Sequence, residues 1–192
     1  MKVHLGCGKR CIPGFTHVDL ADFPHIDFKH DIRTLPFLAN DSAELMYACH
    51  VLEYFDRVEV ADVLHEWWRV LAPGGGLYLA VPDIEALFQV YAKHRDFSLI
   101  QGPIYGRWPI PGGDGVIYHR TGYDFESLRC ILESNGFTDV RRYDWRATVF
   151  KDYDDYSQAY IPHMDKTNGV LISLNVMCRK PEQRAVGDTA VK

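Results

Sequence analysis

No apolar run in these 192 residues approaches the roughly 20 that a membrane-spanning helix needs, which excludes a helical membrane protein. The first residues, Met1-Lys2-Val3-His4-Leu5, run straight into glycine and hold no apolar stretch of signal-peptide length, so export by that route is not expected. A basic block is also missing. Lys and Arg total 21 against 26 Asp and Glu, a net charge of −5, and such a balance makes nucleic acid a poor partner. Cysteine is sparse. Cys7, Cys11, Cys49, Cys130 and Cys178 are odd in number and scattered, which reads as reduced thiols in a cytoplasmic protein. Cys7-x3-Cys11 has no second Cys/His pair at zinc-site spacing, so no metal is expected and Cys7 reads as a small side chain in a turn.

What is present suffices for one core. A chain 47% hydrophobic and 24% charged fits a single domain, expected over residues 1–180, with the polar stretch 181–192 as a disordered tail. Strand-like and helix-like segments alternate, which predicts an α/β domain with a mainly parallel sheet. Strands are expected at residues 2–5, 16–20, 26–29, 44–49 and 77–81, and an antiparallel last pair at 140–145 and 170–178. The clearest helix spans about 56–71, where Val60, Leu64, Trp67 and Leu71 share one face. Asp56 and Glu59 have capping-box spacing, and Pro73-Gly74-Gly75-Gly76 is the stop. Asp83 and Asp124 read as N-caps of two further helices. Residues 101–118 are dense in Gly and Pro around Tyr105 and Trp108, which predicts an irregular loop serving as a lid or binding loop. The tyrosine-rich stretch 151–160 reads as a short helix covering the sheet or the lid.

Gly6-Cys7-Gly8 follows the first strand, a turn where the backbone can approach a ligand closely. Ligands of open α/β sheets sit beyond the carboxyl ends of the strands, which gathers Leu5-Gly6, Asp19, Asp31, His50 and Asp83 around one crevice. Cys11 stands where a dinucleotide site wants its third glycine, and Gly8-Lys9-Arg10 is not a P-loop, so phosphate cradling is disfavoured. A nucleoside fits better. Asp19 can accept from both ribose hydroxyls, and Asp31 from an exocyclic amine such as that of adenine.

Several strings together resemble the class I S-adenosylmethionine-dependent methyltransferases. They are His4-Leu5-Gly6-Cys7-Gly8, Val18-Asp19, Asp31-Ile32-x-x-Leu35-Pro36-Phe37, His50-Val51-Leu52-Glu53-Tyr54 and Arg69-Val70-Leu71-x-Pro73-Gly74-Gly75. The likeness is to the short bacterial form, and it covers about residues 2–81. It implies a Rossmann-like, mainly parallel seven-stranded sheet with an antiparallel last strand and helices on both faces. It also implies S-adenosylmethionine (SAM) as cofactor, S-adenosylhomocysteine as product, and a small-molecule acceptor such as a sugar or glycan precursor. By the same likeness the turn Gly6-Cys7-Gly8 lines the methionine end, Asp19 holds the ribose hydroxyls, Asp31 meets the adenine amine with the Ile32 N–H near a ring nitrogen, and the segment His50 to Glu53 lies near the sulfonium and the substrate, with Leu5, Leu20 and Leu52 also expected to bind the cofactor.

One departure stands out. Most of the family places a full helix between the glycine turn and the second strand, and here only residues 9–15 intervene, with Pro13-Gly14 inside. Methyl transfer is an in-line displacement whose driving force lies in the cofactor, so the protein must orient the reactants and, for an O–H or N–H acceptor, receive a proton. His50 and His119 are the candidate catalytic residues, with Asp83 and Tyr118 beside them. Two other readings stay open: a non-catalytic nucleoside-binding or scaffold protein on the same fold, and a nucleotide-dependent oxidoreductase, which Cys11 disfavours.

Overall fold

A computed structural model describes residues 1–112 and 115–182. Its centre is a seven-stranded sheet in the order β3-β2-β1-β4-β5-β11-β8. In chain order the strands are β1 (Lys2–Leu5), β2 (Phe15–Asp19), β3 (Phe28–Lys29), β4 (Ala43–Cys49), β5 (Leu71–Pro82), β6 (Trp108–Pro109), β7 (Val116–Ile117), β8 (Thr138–Arg142), β9 (Tyr160–Ile161), β10 (Val170–Leu171) and β11 (Ser173–Arg179). Strands β1 to β5 run parallel to their neighbours, while β11 is antiparallel to both β5 and β8. The expected antiparallel last strand is therefore present, inserted one place in from the edge. The helices are α1 (Glu59–Val70), α2 (Ile84–His94), α3 (Ser98–Tyr105) and α4 (Phe125–Ser134). No helix among the described residues is long and apolar enough to cross a membrane.

Alternation along β1 assigns the two faces. Val3 and Leu5 join the main core with Val63, Leu64 and Trp67 of α1 and Leu128 and Leu132 of α4. His4 points the other way, stacked on Tyr47, beside Phe15. There Tyr47 stacks in turn on Phe150, so an aromatic segment covers that face of β1 and β4. Within that segment the short helix expected near 151–160 is a single 3-10 turn, Tyr156–Gln158.

The capping signals hold. Asp83 accepts from the Glu85 and Ala86 amides, and Asp124 forms a reciprocal box with Ser127. Asp56 accepts from the Glu59 amide at 2.9 Å while the Glu59 carboxylate accepts from the Asp56 amide at 3.1 Å, the two-way arrangement that satisfies orphan donors at a helix start.

Two expectations need correction. Helix α1 hands over to β5 at Leu71, so Pro73 to Gly76 lies inside a strand that was expected from 77. Gly74 takes a φ of +76°, and a register shift between Ala43 and Leu45 of β4 absorbs the irregular glycine run. The second correction concerns 101–118. Residues 98–105 form α3 with Pro103 inside it, because Ile100 and Ile104 pack on Leu87 and Val90 of α2 and outweigh the cost of proline. A small hairpin, β6–β7, follows; its tip at 113–114 lies outside the described residues. The tail expected at 181–192 also lies outside them, apart from 181–182.

Candidate functional site

A cleft of about 550 Å³ opens at the carboxyl ends of β1, β2 and β4. That volume is in the usual range for a pocket holding a small organic molecule. Its floor is the glycine turn. Gly6 has a φ of +60°, and a Cβ there would lie 2.1 Å from Val51 Cγ1, so no other residue fits. The Gly6 amide donates to the Val18 carbonyl, which pins the turn against β2.

Asp19 ends β2 at 3% exposure and lines the cleft. One carboxylate oxygen accepts from the Gly8 amide at 2.8 Å and the other from the Ala21 amide at 2.7 Å. Asp19 is thus first a clamp that joins the glycine turn to the β2 terminus. An ionised carboxylate has about four acceptor sites, which leaves two for a ligand's hydroxyls. Asp31 also lines the cleft but is more engaged: it accepts from the Arg33 amide at 2.9 Å and forms an ion pair with the Arg33 guanidinium. The Arg33 guanidinium lies over the Phe55 ring, 5.1 Å from its centroid. Leu20 and Ile32 also line the cleft.

Other expected residues lie elsewhere. Leu5 and Leu52 are core side chains that do not line the cleft, because strand alternation and a 3-10 turn aim them at α1. Asp83 is spent on capping α2 and on an ion pair with Arg142. His119 does not line this cleft; it borders a second cavity of about 220 Å³ behind Tyr105 and Ile84. Tyr118 does line the main cleft.

His50 lines the cleft in a left-handed conformation, φ +53°. Its Nε2 lies 3.2 Å from Ser173 Oγ and its Nδ1 lies 3.4 Å from Glu53 Oε1. Burial and the neighbouring His119 push His50 down to about 3, so the ring is neutral at physiological pH. Glu53 is fully buried, and burial raises it to about 8.

The outer wall combines the hairpin that the 101–118 loop was expected to supply with a strap whose anchor, Arg10, was not anticipated. Arg10 donates through its guanidinium to the Asp154 carbonyl and lies over Tyr156, and Tyr47 donates to Asp155 at 2.6 Å. These links strap residues 150–158 over the glycine turn where the family's usual helix is absent. The β6–β7 hairpin closes the opposite side with Trp108, Pro111 and Ile117, tied by the Asp22 amide to the Pro111 carbonyl. The strap's tyrosines were visible in the sequence, but Arg10 lies 144 residues before its partner Asp154 and no local spacing links them.

A family model for a methyltransferase domain matches residues 16–79. The fold is also that of solved methyltransferase structures. A SAM-dependent methyltransferase from Methanosarcina mazei aligns over 95% of this chain and 92% of its own, with a TM-score of 0.57 and 18% identity. One from Archaeoglobus fulgidus aligns over 93% and 85%, with a TM-score of 0.55 and 15% identity. The chain has the fold of class I methyltransferases, and about a third of it matches the methyltransferase-domain model. A third structure, the 1,6-didemethyltoxoflavin-N1-methyltransferase of Burkholderia thailandensis with 1,6-didemethyltoxoflavin and S-adenosylhomocysteine bound, aligns over 94% of this chain and 71% of its own, at a TM-score of 0.53 and 12% identity. No curated protein matches the chain in sequence.

SAM is the cofactor of such domains, and the cleft fits it. The glycine floor admits a close backbone approach, Asp19 keeps acceptor capacity for a ribose, and Leu20, Ile32 and Phe55 offer apolar walls for a flat base.

Proposed function

We propose that this domain transfers a methyl group from SAM to a small organic acceptor held between the strand ends and the hairpin, with a sugar or glycan precursor as the first class to test. The observation that carries the reading is the division of one cleft into two chemistries. Its inner end offers backbone and carboxylate groups suited to a nucleoside, and its outer end offers Trp108, Tyr118 and Tyr156 with Arg10 and Arg120. Aromatic faces and guanidinium forks suit a polar organic ring.

When bound, SAM supplies an activated methyl group. The protein's contribution is alignment and exclusion of water. Gly6 and Asp19 would fix the nucleoside end, and Trp108 and Tyr118 would cover the acceptor. His50 lines the cleft, but both its nitrogens face protein partners. Its role is therefore to shape the floor; a proton leaving the acceptor would need another receiver, such as solvent at the mouth.

A scaffold reading is favoured by one feature, the missing helix after the glycine turn. Calorimetry with S-adenosylhomocysteine, SAM and NAD separates the readings. Binding of the first two alone supports the methyltransferase, and transfer of labelled methyl to a panel of sugars and small phenols extends it. Absence of S-adenosylhomocysteine binding at millimolar ligand overturns it.

A further inference from the structure

Glu53 is fully buried, and neither carboxylate oxygen has a hydrogen-bond partner. Two imidazoles flank Oε1: Nδ1 of His50 at 3.4 Å and Nε2 of His119 at 3.7 Å. The surroundings fix which nitrogens carry protons. His119 Nδ1 lies 3.0 Å from the Pro103 carbonyl, an acceptor, so Nδ1 bears the hydrogen and Nε2 is bare. A chain of donors settles His50. Asn175 Nδ2 donates to the Ser157 carbonyl, Ser173 Oγ donates to Asn175 Oδ1, and Ser173 Oγ is left to accept from His50 Nε2. His50 Nδ1 is then bare as well. Burial lowers both imidazoles, so both are neutral and two lone pairs face Oε1; a proton on that oxygen makes the contact favourable, donated to one nitrogen at a time, with His50 Nδ1 the nearer.

The position of the cluster gives this proton a use. Glu53 is the anchor of the hairpin's stem: its carbonyl accepts from the Arg120 amide at 2.8 Å and the Thr121 amide at 3.2 Å. The two ends of the β6–β7 hairpin meet there, with the His119 amide donating to the Tyr105 carbonyl at 2.8 Å. The contact is close: a Cβ on Gly106 would lie 2.3 Å from His119 Nε2. Tyr54 packs edge-on against the His119 ring.

We propose that Glu53 is an un-ionised carboxylic acid at neutral pH whose single proton, on Oε1, is shared between His50 Nδ1 on the cleft floor and His119 Nε2 at the hairpin stem, a positioning residue that latches the hairpin over the acceptor end of the cleft. The use of the latch in methyl transfer rests on the function proposed above; the latch itself does not. Burial raises Glu53 to about 8, in keeping with a proton held at pH 7. The other groups facing the cluster do not oppose it. Burial pushes Tyr54, Tyr123 and Cys49 upward, with the Glu53 carboxyl contributing to each, so all three stay neutral. The Tyr156 main chain favours a proton on His50, and Asp155 bears on Cys49. Arg120 pairs with Glu59 instead, and no Lys or Arg among the described residues lies within ion-pair distance of Glu53.

Above about pH 8 the carboxylate would face two lone pairs and the latch should weaken. Glu53→Gln donates from its amide to the same nitrogens without titrating, and Glu53→Ala removes the bridge. Infrared difference spectra of wild type against Glu53→Gln at pH 7 should show a carboxylic-acid carbonyl band in the wild type that fades above about pH 8. Amide exchange of residues 105–119, corrected for intrinsic rates, should lose about tenfold more protection between pH 7 and 9 in wild type than in Glu53→Gln, since about a tenth of the acid remains one unit above its midpoint. Glu53→Ala should lose that protection at both values. An ionised Glu53 at pH 7, or equal pH dependence in wild type and Glu53→Gln, overturns the latch. If Glu53→Gln does not fold, the fading of the band in wild type labelled with carbon-13 glutamate, followed against exchange in the same samples, decides it. Calorimetry with S-adenosylhomocysteine on the wild type tests the proposed function separately, because it reads the glycine turn and Asp19 and not the hairpin.

Discussion

The two walls of the cleft are built on different principles. The inner wall is backbone: Gly6, Gly8 and Ala21 are wired to one another through β2 and the Asp19 carboxylate, all within about twenty residues of sequence. The outer wall is side chain, supplied by aromatics from 105–118 and 150–158 and held by a few long-range links. A backbone wall tolerates almost no substitution and recognises one invariant ligand. A side-chain wall can be rebuilt residue by residue, which is what a change of acceptor requires.

Gly6→Ala should break the inner wall most severely. It combines overpacking against Val51, about 1–3 kcal/mol, with a left-handed backbone that costs about 1–2 kcal/mol for a residue with a Cβ. Chemical denaturation should show the loss, and S-adenosylhomocysteine binding should vanish in calorimetry. Retained binding would mean the turn is not the floor. Asp19→Ala comes next. It orphans the Gly8 and Ala21 amides as well as any ribose contact, and cofactor affinity should fall by about 1.5–3 kcal/mol with a parallel drop in stability. A stability loss with affinity untouched would make Asp19 a clamp and nothing more.

Trp108→Ala addresses the other wall. It should leave S-adenosylhomocysteine affinity intact and lower kcat/KM for the acceptor by about tenfold, the scale of an aromatic contact of about 0.5–1.5 kcal/mol. Weakened cofactor binding in this variant would merge the two walls into one. Asp31→Ala should do least, about 0.2–1 kcal/mol, because its ion pair with Arg33 is partly exposed and already occupies the carboxylate. A loss larger than that of Asp19→Ala would move the adenine to Asp31.

The same division explains what the sequence made legible. Asp19, Gly6 and the strand ends were readable because glycine turns and terminal carboxylates leave local signatures, and the parallel sheet because apolar runs alternate with helical periodicity. Leu5 and Leu52 were assigned to the site from motif position, which does not say to which face a side chain turns. Helix α3 was hidden because the burial of Ile100 and Ile104 against α2 overrode Gly102 and Pro103. Glu53 carried two faint signals, its place in the His50-to-Glu53 segment that the resemblance sets near the sulfonium and its position three residues after His50. Its second partner, His119, lies 66 positions further on, and only the hairpin's return brings them together.

The strap that stands in for the missing helix also sets an order of assembly. Arg10 is made 144 residues before its partner Asp154. Strand β11, later still, must slide between β5 and β8 before either edge is complete. During synthesis the glycine turn therefore leaves the ribosome long before anything can roof it. The domain closes late and by non-local pairing, the kind of contact that slows folding and keeps unfinished strand edges open to wrong partners. A nascent chain halted before residue 150 should expose Tyr47 and Phe15 to chaperones, whereas one extended past 179 should not.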